Sequence, residues 1–396
     1  MQYRTDKRSN TELSTLGFGC MRLPRRAGGM SIDIKASEKI IMHAIENGVN
    51  YFDTAYLYPG SESALGEILH KNNVRDRVHI ATKIPHSQCK RYEDFDRIFD
   101  IEKDRLKTDY IDYFLIHNMA KPCEWERMVS LGIEDWLVKK KESGEIKRVG
   151  FSFHGTQQNF LQLLDMYDWE FCYIQYNYMD ENYQAGKVGL QKAHSKGIPV
   201  VVMEPLLGGR LATGLPKKAR KLLDHIDNTR TPAEWAFMWL FNQKEVTVVL
   251  SGMNSIEMLN ENIATASKWT VGSLGKTELS VIKSVKNIME EAYKVMCTGC
   301  NYCMPCPHKV NIPDSFASLN TRYALGYFTG MQSYVLSTNA FRTADNQLAS
   351  NCVKCGACMK HCPQHINIID ALGLVKKRLE PFWISWILKI VRKVRM

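Results

Sequence analysis

From Leu16 to Leu250, short apolar runs alternate with longer stretches of helical period. The strand-length runs are Leu16–Cys20, Tyr51–Asp53, Val78–Lys83, Tyr113–His117, Arg148–Phe153, Tyr173–Tyr176, Pro199–Met203 and Val246–Leu250. Between them lie Lys35–Asn47, Glu62–His70, Asp94–Leu106, Trp125–Lys141, Gln157–Tyr167 and Pro232–Phe241, which space their apolar residues as amphipathic helices do. Eight strands separated by helices over about 250 residues predict an α/β fold, a closed (β/α)8 TIM barrel. The rival is a doubly wound open sheet. That fold normally carries a G-x-G-x-x-G turn after its first strand, and this chain has none there.

Beyond the last strand the pattern changes. Eight of the twelve cysteines fall in two runs, each closed by Cys-Pro: Cys297, Cys300, Cys303, Cys306 and then Cys352, Cys355, Cys358, Cys362. The second run has the spacing C-x2-C-x2-C-x3-C-P, in which thiolates from successive turns wrap a cube of iron and sulfide. The first run ends in C-x2-C and departs from that spacing by one residue. Zinc ribbons also use paired C-x2-C but seldom in one unbroken run. A disulfide framework suits a short secreted chain rather than one of 396 residues. Two [4Fe–4S] clusters are therefore expected. In the two-cluster pattern the fourth cysteine of each run crosses to the other cube. Cys297, Cys300, Cys303 and Cys362 would then hold one cluster, and Cys352, Cys355, Cys358 and Cys306 the other. The scattered Cys20, Cys89, Cys123 and Cys172 read as ordinary buried residues.

Around the cysteines, Lys276–Met296 reads as a helix with an apolar stripe of Leu279, Ile282, Val285, Ile288 and Met289. Ser315–Tyr323 and Asn339–Ser350 look helical as well, which predicts a small, mainly α-helical ferredoxin-like domain. The expected organisation is a barrel over 1–275, a connecting helix over 276–295, the cluster domain over 296–372 and a basic amphipathic tail over 373–396.

Charge narrows the partners. The net charge is +10, and the segment Lys376–Met396, with seven basic residues and one acid, supplies +6 of it. The remainder is near balance, which argues against a nucleic-acid-binding face. In the tail, Trp383, Trp386, Ile387, Ile390 and Val394 fall near one helical face, with basic residues largely elsewhere. Such a helix suits peripheral contact with an anionic membrane surface, docking on the barrel, or a partner subunit. The opening MQYRTDKRSN lacks an apolar signal core, so a cytoplasmic location is expected, peripheral at the inner membrane face if the tail binds lipid.

In a (β/α)8 barrel, chemistry sits at the C-terminal ends of the strands. There the chain places Asp53 with Tyr58, Lys83, His117, Ser152, Gln175 with Asn177, and Glu204. A lysine ammonium beside a phenol makes the phenol a stronger acid, and a buried carboxylate holds that lysine in place.

The segments LGFGCMRLP, GVNYFDTAYLYPGSESALGEIL, ATK, DYFLIHN, GFSFHG, IQYNYMD, MEPLLGGRLA and SGMNSIEMLNENI resemble the aldo-keto reductases, in order, from about Leu13 to Thr270. With the cysteine runs added, the chain resembles the ferredoxin-fused branch of that family. The resemblance implies a catalytic tetrad: Tyr58 as general acid, Lys83 and Asp53 as its charged support, and His117 orienting the carbonyl. It implies reduction of an aldehyde or ketone, or the reverse oxidation, because family members that reduce steroid double bonds carry glutamate at the histidine position. It also implies a nicotinamide site. Ser152 and Gln175 match the carboxamide-binding positions, but Phe153 stands where the family has asparagine, and Met203 where an aromatic ring usually stacks. The loop Leu206–Arg210, with Gly208 and Gly209, would cradle the pyrophosphate, and Glu261 and Asn262 match the adenine-side pair. The positions that hold the 2′-phosphate of NADP read Gly252 and Met258, so NADH is favoured over NADPH, although Asn254 and Ser255 offer polar groups. The departures at Phe153 and Met203 leave room for a flavin. A redox protein partner for the clusters is also expected, since a nicotinamide moves two electrons together and a cubane one at a time.

Overall fold

The structure is a computed structural model, described here for residues 1–26, 31–340 and 346–381. The chain divides into two compact units, Met1–Pro205 with Ala233–Gly275, and Leu206–Pro232 with Lys276–Met396. The division falls at Gly275, and it also places Leu206–Pro232, the segment after the seventh barrel strand, in the second unit.

In the first unit, a hairpin of β1 (Tyr3–Asp6) and β2 (Thr11–Ser14) precedes the barrel. The barrel strands are β3 (Leu16–Gly19), β4 (Tyr51–Asp53), β5 (His79–Pro85), β6 (Ile111–Met119), β7 (Ile146–Phe153), β8 (Phe171–Gln175), β9 (Val200–Met203) and β10 (Val246–Ser251). They run parallel in sequence order, and β10 pairs with β3 to close the ring. The eight predicted strands are these eight, with ends moved by one or two residues. Their short apolar runs fit strands buried on both faces. One face meets the helix ring, and the other fills the barrel with Tyr51, Ala81, Tyr113, Leu115, Phe171, Tyr173, Val201 and Val248. Leu13, from the hairpin, joins that interior cluster. The hairpin had no counterpart among the expected strands, because YRTD and TELS lack an apolar run.

The helix expected over Trp125–Lys141 is two, Pro122–Ser130 and Ile133–Glu142. The break is Gly132, whose φ of 87° is left-handed and ends the first helix. The apolar period survives the kink, which is why the sequence read as continuous.

The second unit is helical: Lys217–Ile226, Lys276–Ala292, Ile312–Leu325, Tyr327–Ser337 and Ile368–Leu379. Its core gathers Val295, Val310, Ile312, Phe316, Leu319, Tyr334, Ile368, Leu372 and Val375. Asn320 pins the chain as it enters the first cysteine run, accepting from the N–H groups of Lys294 and Val295 and donating to the Val295 carbonyl. Along Lys276–Ala292 the buried stripe is Val281, Ile282, Val285 and Met289, whereas Leu279 is exposed. The helix expected over Asn339–Ser350 lies earlier, at Tyr327–Ser337, and Asn339 itself is left-handed (φ 49°). Among the described residues of 339–350, only the start of a 3₁₀ turn, Ala349–Asn351, is helical. The tail residues Trp383 to Val394 lie outside the described residues. Among the described residues no helix is long and apolar enough to cross a membrane.

Candidate active site and cysteine centre

Asp53 closes β4, Lys83 lies within β5 and His117 near the end of β6, all buried. The Lys83 ammonium donates to Asp53 Oδ1 at 2.6 Å and to the Thr54 carbonyl at 2.5 Å. It also lies 4.9 Å from the centre of the Tyr58 ring. Tyr58 sits in the turn after β4, its N–H bonded to the Ala55 carbonyl, and its ring meets His117 edge-on at 5.9 Å. The structure therefore brings together all four residues of the expected tetrad.

A break in the sheet aims the histidine. The β6–β7 register shifts between Ile116 and Met119, and Asn118 takes a φ of 61°. The Asn118 N–H donates to Ser152 Oγ at 2.7 Å. Such irregularities re-aim a side chain beside a site, and here a strand-end serine on β7 satisfies the backbone that the break exposes.

Burial decides the electrostatics. It pushes the Asp53 carboxyl above its ordinary value, while the charge of Lys83 and its hydrogen bond pull it back. Burial, then the Lys83 charge and the neighbouring His154 and His86, hold His117 well below the usual imidazole value. His117 is thus a neutral ring beside a cation. Burial and the nearby Asp53 likewise keep the Cys20 thiol protonated. Cys89 and Cys172 are buried as expected, but Cys123 is exposed, because the first turn of Pro122–Ser130 points it outward.

Sequence reasoning missed the tyrosines beneath this group. Tyr51 and Tyr173 join hydroxyls at 2.9 Å inside the barrel. Both lie in runs read as apolar strands, and nothing in those runs marked a polar contact.

The expected nicotinamide residues are less uniform. Gln175 is buried, donates to Asp180 Oδ2 at 2.7 Å and receives a bond from Gln184. Met203 packs against the barrel interior. Asn262 is buried and donates to Ser251 Oγ, next to Glu261 on Ile256–Lys268. Ser255 caps that helix by accepting from the Met258 N–H. The Arg22 side chain lies along Gly252, its stem carbons within 3.1–3.4 Å of where a β-carbon would stand. That cation, next to a position where the sequence offered none, comes from the β3 end of the neighbouring strand pair.

Leu206, Gly208, Gly209 and Arg210 belong to the second unit. Gly208 and Gly209 are both left-handed, and a β-carbon on Gly208 would stand 2.1 Å from the Thr298 carbonyl oxygen. Arg210 donates to the Val295 carbonyl at 3.0 Å, and Tyr293 donates to the Gly214 carbonyl at 2.5 Å. The expected pyrophosphate loop is thus bound to the chain that enters the first cysteine run.

The cysteines sort by space, not by run. Cys297, Cys300, Cys303 and Cys362 line one pocket with Thr298, Ile312, Phe316 and Pro363. Beside burial, the charges that bear on Cys303 are those of Cys297, Cys300 and Cys362. Those bearing on Cys358 are Cys306, Cys352 and Cys355. The Gly299 N–H donates to Cys297 Sγ at 3.4 Å, a contact that favours thiolate. Among the described residues no three His, Cys, Asp or Glu are set to share a single metal ion. Four thiols gathered on one pocket are the donor set of a [4Fe–4S] cluster. Cys297 is the most buried ligand candidate and Cys355 is exposed, so the two thiol groups differ in depth.

Comparisons with known proteins accord with this geometry. The 4Fe-4S dicluster domain model matches residues 296–367. Among curated relatives, the aldo-keto reductase yakc [NADP(+)] of Schizosaccharomyces pombe is 21% identical over 66% of this chain and 86% of its own. L-galactose dehydrogenase of Arabidopsis thaliana is 26% identical over 70% of this chain and 93% of its own. Among solved structures, the holo form of a Bacillus halodurans aldo-keto reductase superposes with a TM-score of 0.59 at 24% identity, covering 72% of this chain and 96% of that one. A Klebsiella pneumoniae aldo/keto reductase in complex with NADP and acetate gives 0.58 at 20%, again over 72% and 96%. The aldo/keto reductase family model itself matches residues 15–271, more than half of the sequence, and the chain belongs to that family.

Proposed function

We propose that this oxidoreductase reduces an aldehyde or ketone to the alcohol, or runs the reverse, with a nicotinamide cofactor, and that its eight clustered cysteines hold two [4Fe–4S] clusters. The observation that carries the reading is the Lys83 ammonium held between the Asp53 carboxylate and the Tyr58 ring. A bound nicotinamide would supply hydride. Tyr58 gives its hydroxyl proton to the carbonyl oxygen, so that hydride and proton together make the alcohol. Lys83 stabilises the phenolate left behind, and Asp53 keeps the ammonium charged inside the barrel. Neutral His117 donates a hydrogen bond that orients the carbonyl. Ser152, Gln175 and Met203 would hold the nicotinamide end, and Glu261 and Asn262 the adenine end. The clusters would supply one-electron chemistry toward a redox protein partner.

Two measurements test this reading. Iron and sulfide analysis of anaerobically prepared protein is expected to give about eight of each per chain, with an EPR signal on dithionite reduction. A value near four would remove one cluster. The pH profile is the second. Because His117 is held neutral, carbonyl reduction is expected to pass without inflection through the ordinary imidazole value of 6.5. A step there that disappears in His117→Gln would show a charged histidine in the reaction.

The nucleotide turns on Arg22. Gly252 and Met258 offer no cation, which favours NADH, yet the Arg22 stem lies along Gly252. Fluorescence titration of Arg22→Ala separates the cases. If Arg22 meets a 2′-phosphate, NADPH affinity falls about tenfold, the scale of one charge-assisted contact, with NADH unchanged. If NADH is the cofactor, both affinities stay within twofold of the parent.

A second reading has a specific ground. Phe153 and Met203 remove one carboxamide partner and the flat stacking face of the family pattern. In that reading the protein is an iron–sulfur electron carrier that couples a protein partner to the barrel pocket through a flavin. Flavin that co-purifies with the protein and is reduced together with the clusters would favour it.

A further inference from the structure

The turn that carries Tyr58 has little packing of its own, since Leu57, Pro59 and Gly60 around it are exposed. Its backbone is tied to β5 through Thr54 and Tyr56, whose N–H groups donate to the Ala81 carbonyl at 2.8 Å and the Lys83 carbonyl at 3.4 Å. Tyr56 is also held from a second side. The Arg105 guanidinium donates to the Tyr56 carbonyl at 3.3 Å and lies over the Tyr56 ring, 4.7 Å from its centre. Arg105 stands in the last turn of the helix Glu93–Leu106, which carries no member of the tetrad.

A buried carboxylate fixes Arg105 in turn. The same Nη1 donates to Glu62 Oε2 at 3.0 Å, and Glu62, in the first turn of the helix Ser61–Lys71, is almost wholly buried. The two helices come together at Gly66, one turn beyond Glu62, where a β-carbon would collide with the Arg105 carbonyl. The other oxygen, Glu62 Oε1, accepts from Thr82 Oγ1 at 2.6 Å. Thr82 precedes Lys83 on β5, so the two side chains leave the strand on opposite faces. The hydrogens can be counted. A threonine hydroxyl donates once, and the 2.6 Å contact takes that hydrogen. Glu102, fully buried, meets the same hydroxyl at 3.4 Å and must bring its own proton. Burial and the Glu62 charge hold the Glu102 carboxyl well above its ordinary value, in keeping with that count. One anion, Glu62, is left facing one cation, Arg105.

A buried ion pair is weak evidence for stability, because packed apolar residues of similar volume hold a fold as well or better. The geometry gives this pair a different use. Glu62 grips β5 next to Lys83, and Arg105 grips the turn two residues before Tyr58. The pair thus joins the two segments whose spacing sets the 4.9 Å between the Lys83 ammonium and the Tyr58 ring centre. We propose that Arg105, anchored by Glu62, is a positioning residue that clamps the Tyr56 carbonyl and so holds Tyr58 beside Lys83. This inference rests on the tetrad reading above. An arginine suits the task better than any other cation. Its planar fork serves a carboxylate and a carbonyl while stacking on a ring, which the point charge of an ammonium does not do at once.

The test does not need the natural substrate. Cluster-loaded protein is titrated with base while tyrosinate formation is followed by ultraviolet difference absorbance, with thermal unfolding recorded in parallel. Tyr58 is faced by Lys83 from β5 and by the His117 ring from β6, and Arg105→Lys alters the charge of neither. The parent is expected to show one phenol ionising ahead of the rest, and Tyr58→Phe is expected to lack it. If no such early phenol exists, the tetrad reading fails and takes this inference with it. If it exists, Arg105→Lys is expected to delay it by about one pH unit, part of the shift that an opposite charge about 4–6 Å away produces. Tyr56→Leu removes the ring beneath the guanidinium but keeps the carbonyl, and is expected to delay it by less. Glu102→Gln, which puts a neutral amide for a neutral acid in the same cluster, is expected to leave it in place. An early phenol unmoved in Arg105→Lys overturns the proposal; if that variant does not fold, Tyr56→Leu decides in the same way. A delay in Glu102→Gln equal to that in Arg105→Lys also overturns it, because general loosening would then account for both. A clamp that is only structural lowers the melting temperature and leaves the phenol where it was.

Discussion

Replacing Tyr58 by phenylalanine is expected to lower kcat/KM for carbonyl reduction by about 10²–10⁴-fold, the usual worth of a positioned general acid. The fold should not suffer. Tyr58 lies in a half-exposed turn, held there by backbone bonds from its own N–H to Ala55 and from Ser61 to its carbonyl. Phenylalanine keeps the ring that packs against His117 and beneath the Lys83 ammonium. Only the proton donor is lost. KM is expected to change little, so the loss appears in kcat, as it does when an interaction made only in the transition state is removed. Asp53→Asn should behave differently. It leaves the Lys83 ammonium buried beside a neutral amide, and breaking a buried pair on one side costs about 3–5 kcal/mol. Stability and activity therefore fall together in Asp53→Asn and separate in Tyr58→Phe. Steady-state kinetics with denaturant unfolding of both variants checks the contrast.

The second large effect concerns the cysteines. Cys362→Ala is expected to remove the cluster of the first run rather than that of its own, because Cys362 shares its pocket with Cys297, Cys300 and Cys303. Conversely, Cys306→Ala should remove the cluster of Cys352, Cys355 and Cys358. Iron should fall to about half in each single variant. In the double variant Cys362→Ala with Cys297→Ala it should fall no further, since both residues serve one cube. Cys362→Ala with Cys306→Ala should lose both clusters. If the fourth cysteine instead serves its own run, Cys362→Ala with Cys297→Ala would strip both clusters, and crossing would be refuted. Loss of the first cluster carries a further consequence within the second unit. Thr298 lies between two of its ligands and abuts Gly208, so the Leu206–Arg210 loop should become more open to proteolysis in Cys362→Ala than in Cys306→Ala.

Much of this was legible because it repeats or is local. The eight strands were readable from β-branched and aromatic runs at regular intervals, and Asp53, Lys83 and His117 from polar residues ending apolar strands. The crossing of Cys306 and Cys362 was an expectation from spacing, even though the first run is a residue short, and the iron counts above test it. What escaped depends on the third dimension. Tyr173 looked like one more apolar strand residue, and its hydroxyl finds its partner only in Tyr51 on another strand. Arg22 meets Gly252 because β10 closes against β3, a pairing that joins the two ends of the barrel sequence. The Gly132 break lay hidden inside an unbroken apolar period. Conversely, Leu279 satisfied the helical period yet faces outward, because the buried face turns toward Val281.

The most direct measurement of the central claim is turnover by cluster-loaded protein under anaerobic conditions. Aliphatic, aromatic and sugar aldehydes and ketones are supplied with NADH or NADPH, with the parent and Tyr58→Phe run in parallel. The account predicts carbonyl-dependent loss of nucleotide absorbance, matched one for one by alcohol formed, and abolished in Tyr58→Phe. A parent protein that binds neither nucleotide, or turnover that survives in Tyr58→Phe, would contradict it.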